Sequence, residues 1–322
     1  MSAPMPSWQQ PAWDQAMLAL AGGRLPHALL ITGPVGLGKL ELARRLAHRL
    51  LCSNPQADQA CGHCRSCQLL AAGTHPDLIE VTLELNDKGD PRKDILISQI
   101  RQLTARLVLT PHLASGQVAL LYPAEAMNRS AANALLKTLE EPPPGRHMIL
   151  LAERPQELPA TIRSHCQWLR LSLPTQADAL AWLKAHDFAA TRATEALLAA
   201  RGNPGLARDY LEHDGLALRR AVAADLVALH QGRQAVMDTA LAWQQDRPVL
   251  RLRLAGELVC DHLASRAGVE RLDALADAGL TPTRSATSLA DWFDASVRAG
   301  SRLDGQLHAP MQIAELLLAW RG

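Results

Sequence analysis

A glycine-rich segment near the N terminus has the residue spacing of a phosphate-binding loop. It is the run Gly33-Pro34-Val35-Gly36-Leu37-Gly38-Lys39. In such loops backbone amides surround the phosphates and the lysine reaches the outer ones, but the next residue here is Leu40, where a Ser or Thr hydroxyl would hold magnesium. Gly33, Gly36, Gly38 and Lys39 are therefore candidates for weak phosphate binding without a metal. A solvated lysine at the start of a helix is an equally good interpretation of Lys39.

Four cysteines lie close together after this loop, at Cys52, Cys61, Cys64 and Cys67. Their spacing gives two overlapping Cys-x-x-Cys units and one more distant thiolate, which together can close a tetrahedron around zinc. Four sulfur ligands leave no open coordination position, so we predict a structural Zn²⁺ site. Ordinary buried or redox-active thiols are the alternative, and the polar residues between the cysteines argue against it.

Five short apolar runs have the length of buried β-strands, and helical patterns lie between them. This alternation predicts a parallel sheet covered by helices. The runs are residues 28–32, 78–82, 118–122, 148–152 and 168–171.

The helical patterns between these runs start with the one that follows the phosphate loop. After Gly38 apolar residues recur at every fourth position, at Leu42, Leu46 and Leu50. The loop is therefore predicted to open a helix, as phosphate binding requires. A second helix is predicted within 94–107. A third is predicted from Ser130, its expected cap, to the prolines after Glu141.

From residue 174 onward no strand pattern is found, and the rest of the chain is predicted to be helical. We expect a sheet domain at 1–172 with the cysteine module at 52–67, a small helical domain at 173–213 and a C-terminal helical domain at 214–322. Lys plus Arg number 33 and Asp plus Glu 32, a balance that argues against a dedicated duplex-DNA binder. No apolar run long enough to span a membrane and no secretory signal pattern are found, which predicts a cytoplasmic protein.

One helical segment carries a resemblance to a known family. Residues 130–143 have the sequence SAANALLKTLEEPP, and with His27-Ala28-Leu29-Leu30, residues 73–77 and Ser164-His165-Cys166 this part of the chain resembles the clamp-loader branch of the AAA+ ATPases. The resemblance implies an α/β P-loop domain with a zinc insert, an all-α lid and an all-α collar. It also implies a ring in which the tau or gamma ATPase subunits and the delta subunit are partners, with the sliding clamp and primed DNA as indirect ones.

The resemblance also indicates which catalytic groups are absent. In active relatives the strand before this helix ends in Asp-Glu, which bind magnesium and polarise water; the corresponding residues here are Tyr122 and Pro123. Neither can bind a cation or accept a proton at neutral pH. We therefore expect no ATP/Mg²⁺ hydrolysis and a passive, bracing role. The alternatives are an active ATPase that uses Glu125, and a zinc module that reads DNA directly.

Two further positions bear on the work of the ring. The family carries Ser-Arg-Cys where this chain has Ser164-His165-Cys166, and that arginine projects into the neighbouring ATP site. Either Arg163 or His165 takes its place, or this subunit contributes little there.

Gly205 stands where ATP-binding relatives have an arginine. Asp77 is predicted to cap backbone amides in a turn.

Overall fold

The computed structural model describes residues 4–87, 89–114, 116–269, 271–280, 284–302 and 309–321. The chain divides into two compact units. One is formed by the chain up to Trp182 together with Asn203–Leu206, and the other by Leu183–Gly202 and the chain from Ala207 onward. The division into three domains at 1–172, 173–213 and 214–322 stays a prediction.

The first unit contains the expected parallel sheet, with five strands in the order β2-β3-β4-β1-β5. All five predicted runs form strands, and no strand end differs from the prediction by more than two residues. The bounds are β1 Ala28–Thr32, β2 Leu78–Val81, β3 Gln117–Leu121, β4 Arg146–Ala152 and β5 Gln167–Arg170. In the register Ala28 pairs with Met148 and Leu29 with Gln167.

Both faces of the sheet are covered, which explains why the strands are apolar without alternation. Leu30 and its neighbours on one face pack with helix residues such as Ile100 and Leu135. Leu29 and Leu46 belong to the core on the other face. The helices of this part of the chain are α1 Gln10–Ala21, α2 Lys39–Leu51, α3 Arg65–Ala71, α4 Ile97–Val108, α5 Arg129–Glu140 and α6 Ala160–Ser164.

One predicted helix cap is wrong. Helix α5 begins at Arg129, and its cap is Asn128, whose side chain accepts a hydrogen bond from the Ala131 amide at 2.9 Å. Ser130 instead lies inside the first turn. An asparagine oxygen caps a helix at least as well as a serine hydroxyl, and Asn128 comes first in the chain, so it is the cap.

The rest of the described chain is helical, as predicted. A buried ion network joins its helices: Asp261 accepts from Arg219 at 2.7 Å and from Arg201 at 2.9 Å. No helix among the described residues is long and apolar enough to cross a membrane. The helices are α7 Gln176–Lys184, α8 Ala190–Ala199, α9 Pro204–Glu212, α10 Gly215–His230, α11 Val236–Gln245, α12 Pro248–Arg266, α13 Ala274–Asp277, α14 Ala286–Arg302 and α15 Ala309–Arg321.

Candidate functional site

The phosphate loop connects β1 to α2, as its sequence predicts. Gly36 and Gly38 have φ of 81° and 77°, a left-handed conformation that favours glycine. Between them the Leu37 side chain is fully buried. The loop therefore keeps the backbone path of a phosphate site.

Lys39 is engaged by its own chain. Its Nζ donates to the carbonyl oxygens of Gly33 at 2.9 Å and Pro34 at 2.8 Å, and it lies 3.5 Å from Oε1 of Glu153. Burial lowers the pKa of Lys39, and Glu153 opposes that shift. Lys39 is therefore a buried lysine held by loop carbonyl oxygens and not a solvated one, and its role in phosphate binding stays a prediction.

The magnesium half of the site is replaced by other contacts. Leu40 packs against the apolar core beside the sheet. Tyr122, directly after β3, donates its hydroxyl to Oε2 of Glu80 at 2.7 Å, and Arg44 donates to both oxygens of that carboxylate at 3.1 and 2.9 Å. Burial and the bond to Glu80 raise the pKa of Tyr122, which keeps the phenol protonated. A neutral phenol offers magnesium no charged ligand.

Glu125, the residue of the active-ATPase alternative, has a structural contact. Its Oε1 accepts the backbone N–H groups of Glu153 at 3.0 Å and Arg154 at 3.1 Å, just after β4. Its Oε2 is buried, and none of the described residues gives it a hydrogen bond. One oxygen therefore fixes the end of the strand, while the other is an unused acceptor.

The two candidates for the trans-acting cation differ in exposure. His165 has a side chain 37% exposed, with Nδ1 2.9 Å from the Thr161 carbonyl oxygen and Nε2 3.9 Å from Oε1 of Glu140. Arg163 is half-buried, its Nε has no hydrogen-bond partner among the described residues, and its carbonyl accepts from Trp168. Of the two, His165 is the one presented to solvent.

The four cysteines come together as the sequence predicts. Their Sγ atoms all lie within 4.8 Å of one another, with separations that include 3.5 Å between Cys52 and Cys61 and 3.8 Å between Cys52 and Cys64. Zn–S bonds of about 2.3 Å place tetrahedral sulfur ligands about 3.8 Å apart. A disulfide would need about 2.05 Å, so the cluster fits an ion and not a bridge.

The thiols of this cluster differ in acidity. Burial opposes ionisation of Cys64, but hydrogen bonds from Ser53 and from the Cys67 amide outweigh it and lower the pKa of Cys64 to about 5. Burial and the neighbouring thiols raise the pKa of Cys67 to about 12. A cation is what allows four adjacent sulfurs to ionise together. The donor set therefore fits zinc.

Asp77 caps backbone amides as predicted, but the amides belong to a distant loop. Its buried carboxylate accepts from the N–H groups of His112, Leu113 and Ala114 at 2.7 to 3.0 Å. Burial alone would raise the pKa of Asp77, but the three donors leave it below its ordinary value. His75 accepts from the Asp77 amide through Nδ1. His75 and Asp77 thus hold the backbone at residue 77 and at residues 112–114 in place.

Sequence reasoning did not find the residues that surround the phosphate loop. Trp8 and Gln9 donate to the Leu37 carbonyl oxygen at 3.0 and 2.9 Å, and Asn203 donates to that of Val35 at 2.7 Å. Glu80 and Glu153 were missed as well. The sequence related Gly205 to an arginine of ATP-binding relatives, but it gave no sign that Asn203 contacts the loop.

Comparisons with known proteins agree with this geometry. A family model described as DNA polymerase III, delta subunit, matches residues 8–175. The chain is 43% identical over 212 residues to DNA polymerase III subunit delta' of Pseudomonas aeruginosa, covering 65% of this chain and 63% of that protein. For the Escherichia coli subunit delta' the identity is 36% over 223 residues, covering 68% and 64%. The matched region is thus just under two thirds of each relative.

One solved structure supports the fold alone. It is a DNA polymerase III gamma subunit-related protein from Thermotoga maritima, with a TM-score of 0.51 and 16% identity over 96% of this chain and 98% of that one.

Proposed function

The chain belongs to the DNA polymerase III delta-subunit family, and from that premise we propose that it is the delta prime subunit of a bacterial clamp loader. In that role it helps to place the sliding clamp on primed DNA without hydrolysing ATP. It works in the cytoplasm beside the tau or gamma ATPase subunits and the delta subunit. Nucleotide addition by the holoenzyme (EC 2.7.7.7) belongs to other chains.

The observation that carries the proposal is the replacement of the magnesium ligands. Leu40, Tyr122 and Pro123 occupy the three positions, and Tyr122 is bonded to Glu80 rather than open to a metal. Phosphoryl transfer depends on metal ions and on accurately placed charge. A subunit that cannot cycle with ATP gives its cycling neighbours a fixed surface to move against.

The test uses the purified chain and the reconstituted ring. The chain alone should show no magnesium-dependent ATP hydrolysis, and omitting it from a ring of tau or gamma and delta subunits should abolish clamp loading onto primed DNA. Turnover by the chain alone that disappears in Lys39→Ala would favour the active-ATPase alternative. Full loading by a ring without this chain would contradict the proposal.

The cysteine cluster holds one structural Zn²⁺ ion, with Cys52, Cys61, Cys64 and Cys67 as ligands. The sulfur separations support this assignment. The alternative, a zinc module that binds DNA directly, predicts salt-sensitive binding of the isolated chain to primed DNA. The near-neutral charge of the chain argues against it.

Either His165 or Arg163 reaches the ATP site of the adjacent subunit, with the exposure of His165 in its favour, or this subunit contributes little there. Rings carrying His165→Ala or Arg163→Ala should be compared in DNA-stimulated hydrolysis, with exposed Arg170→Ala as the control. A finger arginine contributes about 10³-fold or more to rate, and a largely neutral histidine much less. If neither substitution alters hydrolysis, this chain provides no finger.

A further inference from the structure

The carbonyl side of the phosphate loop is occupied by groups of the same chain. Five loop carbonyl oxygens accept hydrogen bonds from side chains, and the donors come from three separate parts of the sequence. The oxygens are those of Gly33 and Pro34, bonded by Lys39; Val35, bonded by Asn203; Leu37, bonded by Trp8 and Gln9; and Gly38, bonded by Gln9.

Asn203 is the most distant of these donors, 168 residues from its acceptor. Both ends of its amide are used: Nδ2 donates to the Val35 carbonyl oxygen at 2.7 Å, and Oδ1 accepts the Leu206 N–H at 3.1 Å. The side chain is only 6% exposed. A reversed amide would set oxygen against oxygen and donor against donor, so this orientation is the one the contacts require.

The backbone after Asn203 approaches the loop as closely as two glycines allow. A side chain at Gly205 would collide with the Gly36 carbonyl oxygen, and a side chain at Gly36 would lie 3.0 Å from the Leu206 nitrogen. Residues Asn203–Leu206 accordingly group with the sheet-bearing unit, although the chain on both sides of them belongs to the other unit.

We propose that Asn203, with the turn Asn203–Leu206, is a built-in latch that fixes the phosphate loop in one conformation without nucleotide. The inference deepens the proposed function and rests on it in one respect, that the chain works without an ATP cycle. A ligand shifts an equilibrium only by its differential affinity for two states. A loop that the latch holds in one state has no second state for a nucleotide to select.

The test is hydrogen exchange, followed by mass spectrometry, of the full chain as wild type and as Asn203→Asp. Aspartate keeps the oxygen that caps the Leu206 amide but loses the donor to Val35 and places a carboxylate against its carbonyl oxygen. Exchange of the peptide over residues 33–39 should rise about tenfold or more. Exchange over β3 should not change. Millimolar ATP with magnesium should leave the wild-type loop unaltered.

The matched control is Asn128→Asp. Asn128 caps α5 through its oxygen, as Asn203 does for α9, so the same substitution should leave loop exchange unchanged. If Asn203→Asp fails to fold, Asn203→Ser keeps a capping oxygen but is too short to reach Val35, and should give the same loop-specific increase.

Two results would overturn the latch: unchanged loop exchange in the folded Asn203 variant, or a wild-type loop that ATP protects strongly. Both are measured on the isolated chain and do not depend on clamp loading. A latch that behaves as expected in a chain that is dispensable for loading would count against the proposed function alone.

Discussion

The phosphate loop and the cysteine cluster lie in the same unit, but different things complete them. The polar groups of the loop find partners within the chain: Lys39 has two carbonyl oxygens and Glu153, and Asn203 holds Val35. The cysteine cluster instead directs four thiols at one point, with sulfur separations near those of a zinc tetrahedron. The polar groups of the first site are paired by protein, whereas the second presents a set of donors that an ion could complete.

This difference shows that the residue spacing of a motif does not by itself reveal whether the site needs a ligand. A buried polar group costs about 1–3 kcal/mol when it is left unpaired. Where the chain supplies the partner, the motif can persist as structure. Where it does not, as we propose for the cysteine cluster, an ion completes the site. The following predictions test the two halves of that contrast, from the largest expected effect to the smallest.

Loss of zinc should have the largest effect. Cys64→Ser removes one sulfur ligand but keeps a hydroxyl that can cap α3, and structural zinc contributes about 10 kcal/mol or more to the folding of small zinc domains. The variant should contain no zinc by elemental analysis and should be cut rapidly by protease within residues 52–71. Cys260→Ser, outside the cluster, should retain one zinc ion per chain. Native protein whose four clustered thiols react freely without releasing metal would contradict the assignment.

Gly205→Ala should destabilise the unit that contains the loop. The added methyl group meets the Gly36 backbone, and overpacking against atoms that cannot move aside costs about 3 kcal/mol. Chemical denaturation followed by tryptophan fluorescence measures the loss. Gly300→Ala, where an added methyl group would meet no atom of the described residues within 4 Å, should be neutral or slightly stabilising. An unchanged midpoint for Gly205→Ala would show that the close approach is not rigid.

Two substitutions at Glu125 test whether its carboxylate has a structural or a catalytic role. Glu125→Ala leaves the amides of Glu153 and Arg154 without their acceptor and should cost about 1–2 kcal/mol of unfolding free energy. Glu125→Gln keeps a carbonyl oxygen for those amides and should be close to wild type. Neither variant should differ from wild type in ATP hydrolysis. Turnover that Glu125→Gln abolishes would support the active-ATPase alternative.

The smallest effect concerns Lys39 and pH. Burial holds the folded-state pKa of Lys39 below the ordinary lysine value of 10.5, so between the two values the unfolded chain binds a proton that the folded chain has released. Stability therefore rises with pH in that window. Relative to Lys39→Met, the wild type should gain stability as pH increases towards 10.5. A stability difference between the two proteins that stays constant with pH would contradict the effect of burial on Lys39.

Much of the fold could be predicted because it depends on local patterns. Apolar runs of strand length gave all five strands, and apolar residues four positions apart gave α2. The clustering of the four cysteines could be predicted for the same reason, since they lie within sixteen residues. The loss of magnesium ligands was visible at Leu40 and Tyr122, because it requires only the identities of aligned residues.

The partners of the phosphate loop could not be predicted, because the contacts join distant parts of the chain through backbone oxygens. Gln9 is 28 residues from Leu37, and Asn203 is 168 from Val35. Every residue has a carbonyl oxygen, so the acceptor leaves no signature in the sequence. Asp77 is an intermediate case: its capping role was predicted, but the amides of residues 112–114 were not.

The bond between Tyr122 and Glu80 bears on how such a chain could regain activity. Substituting aspartate for Tyr122 would deprive Glu80 of its phenol donor, while Leu40 would still lack a hydroxyl and Glu125 would still be tied to the end of β4. Each single substitution towards the residues of active relatives would break an existing contact without completing a magnesium site. Building a magnesium site at this position would therefore take several substitutions made together rather than any single one.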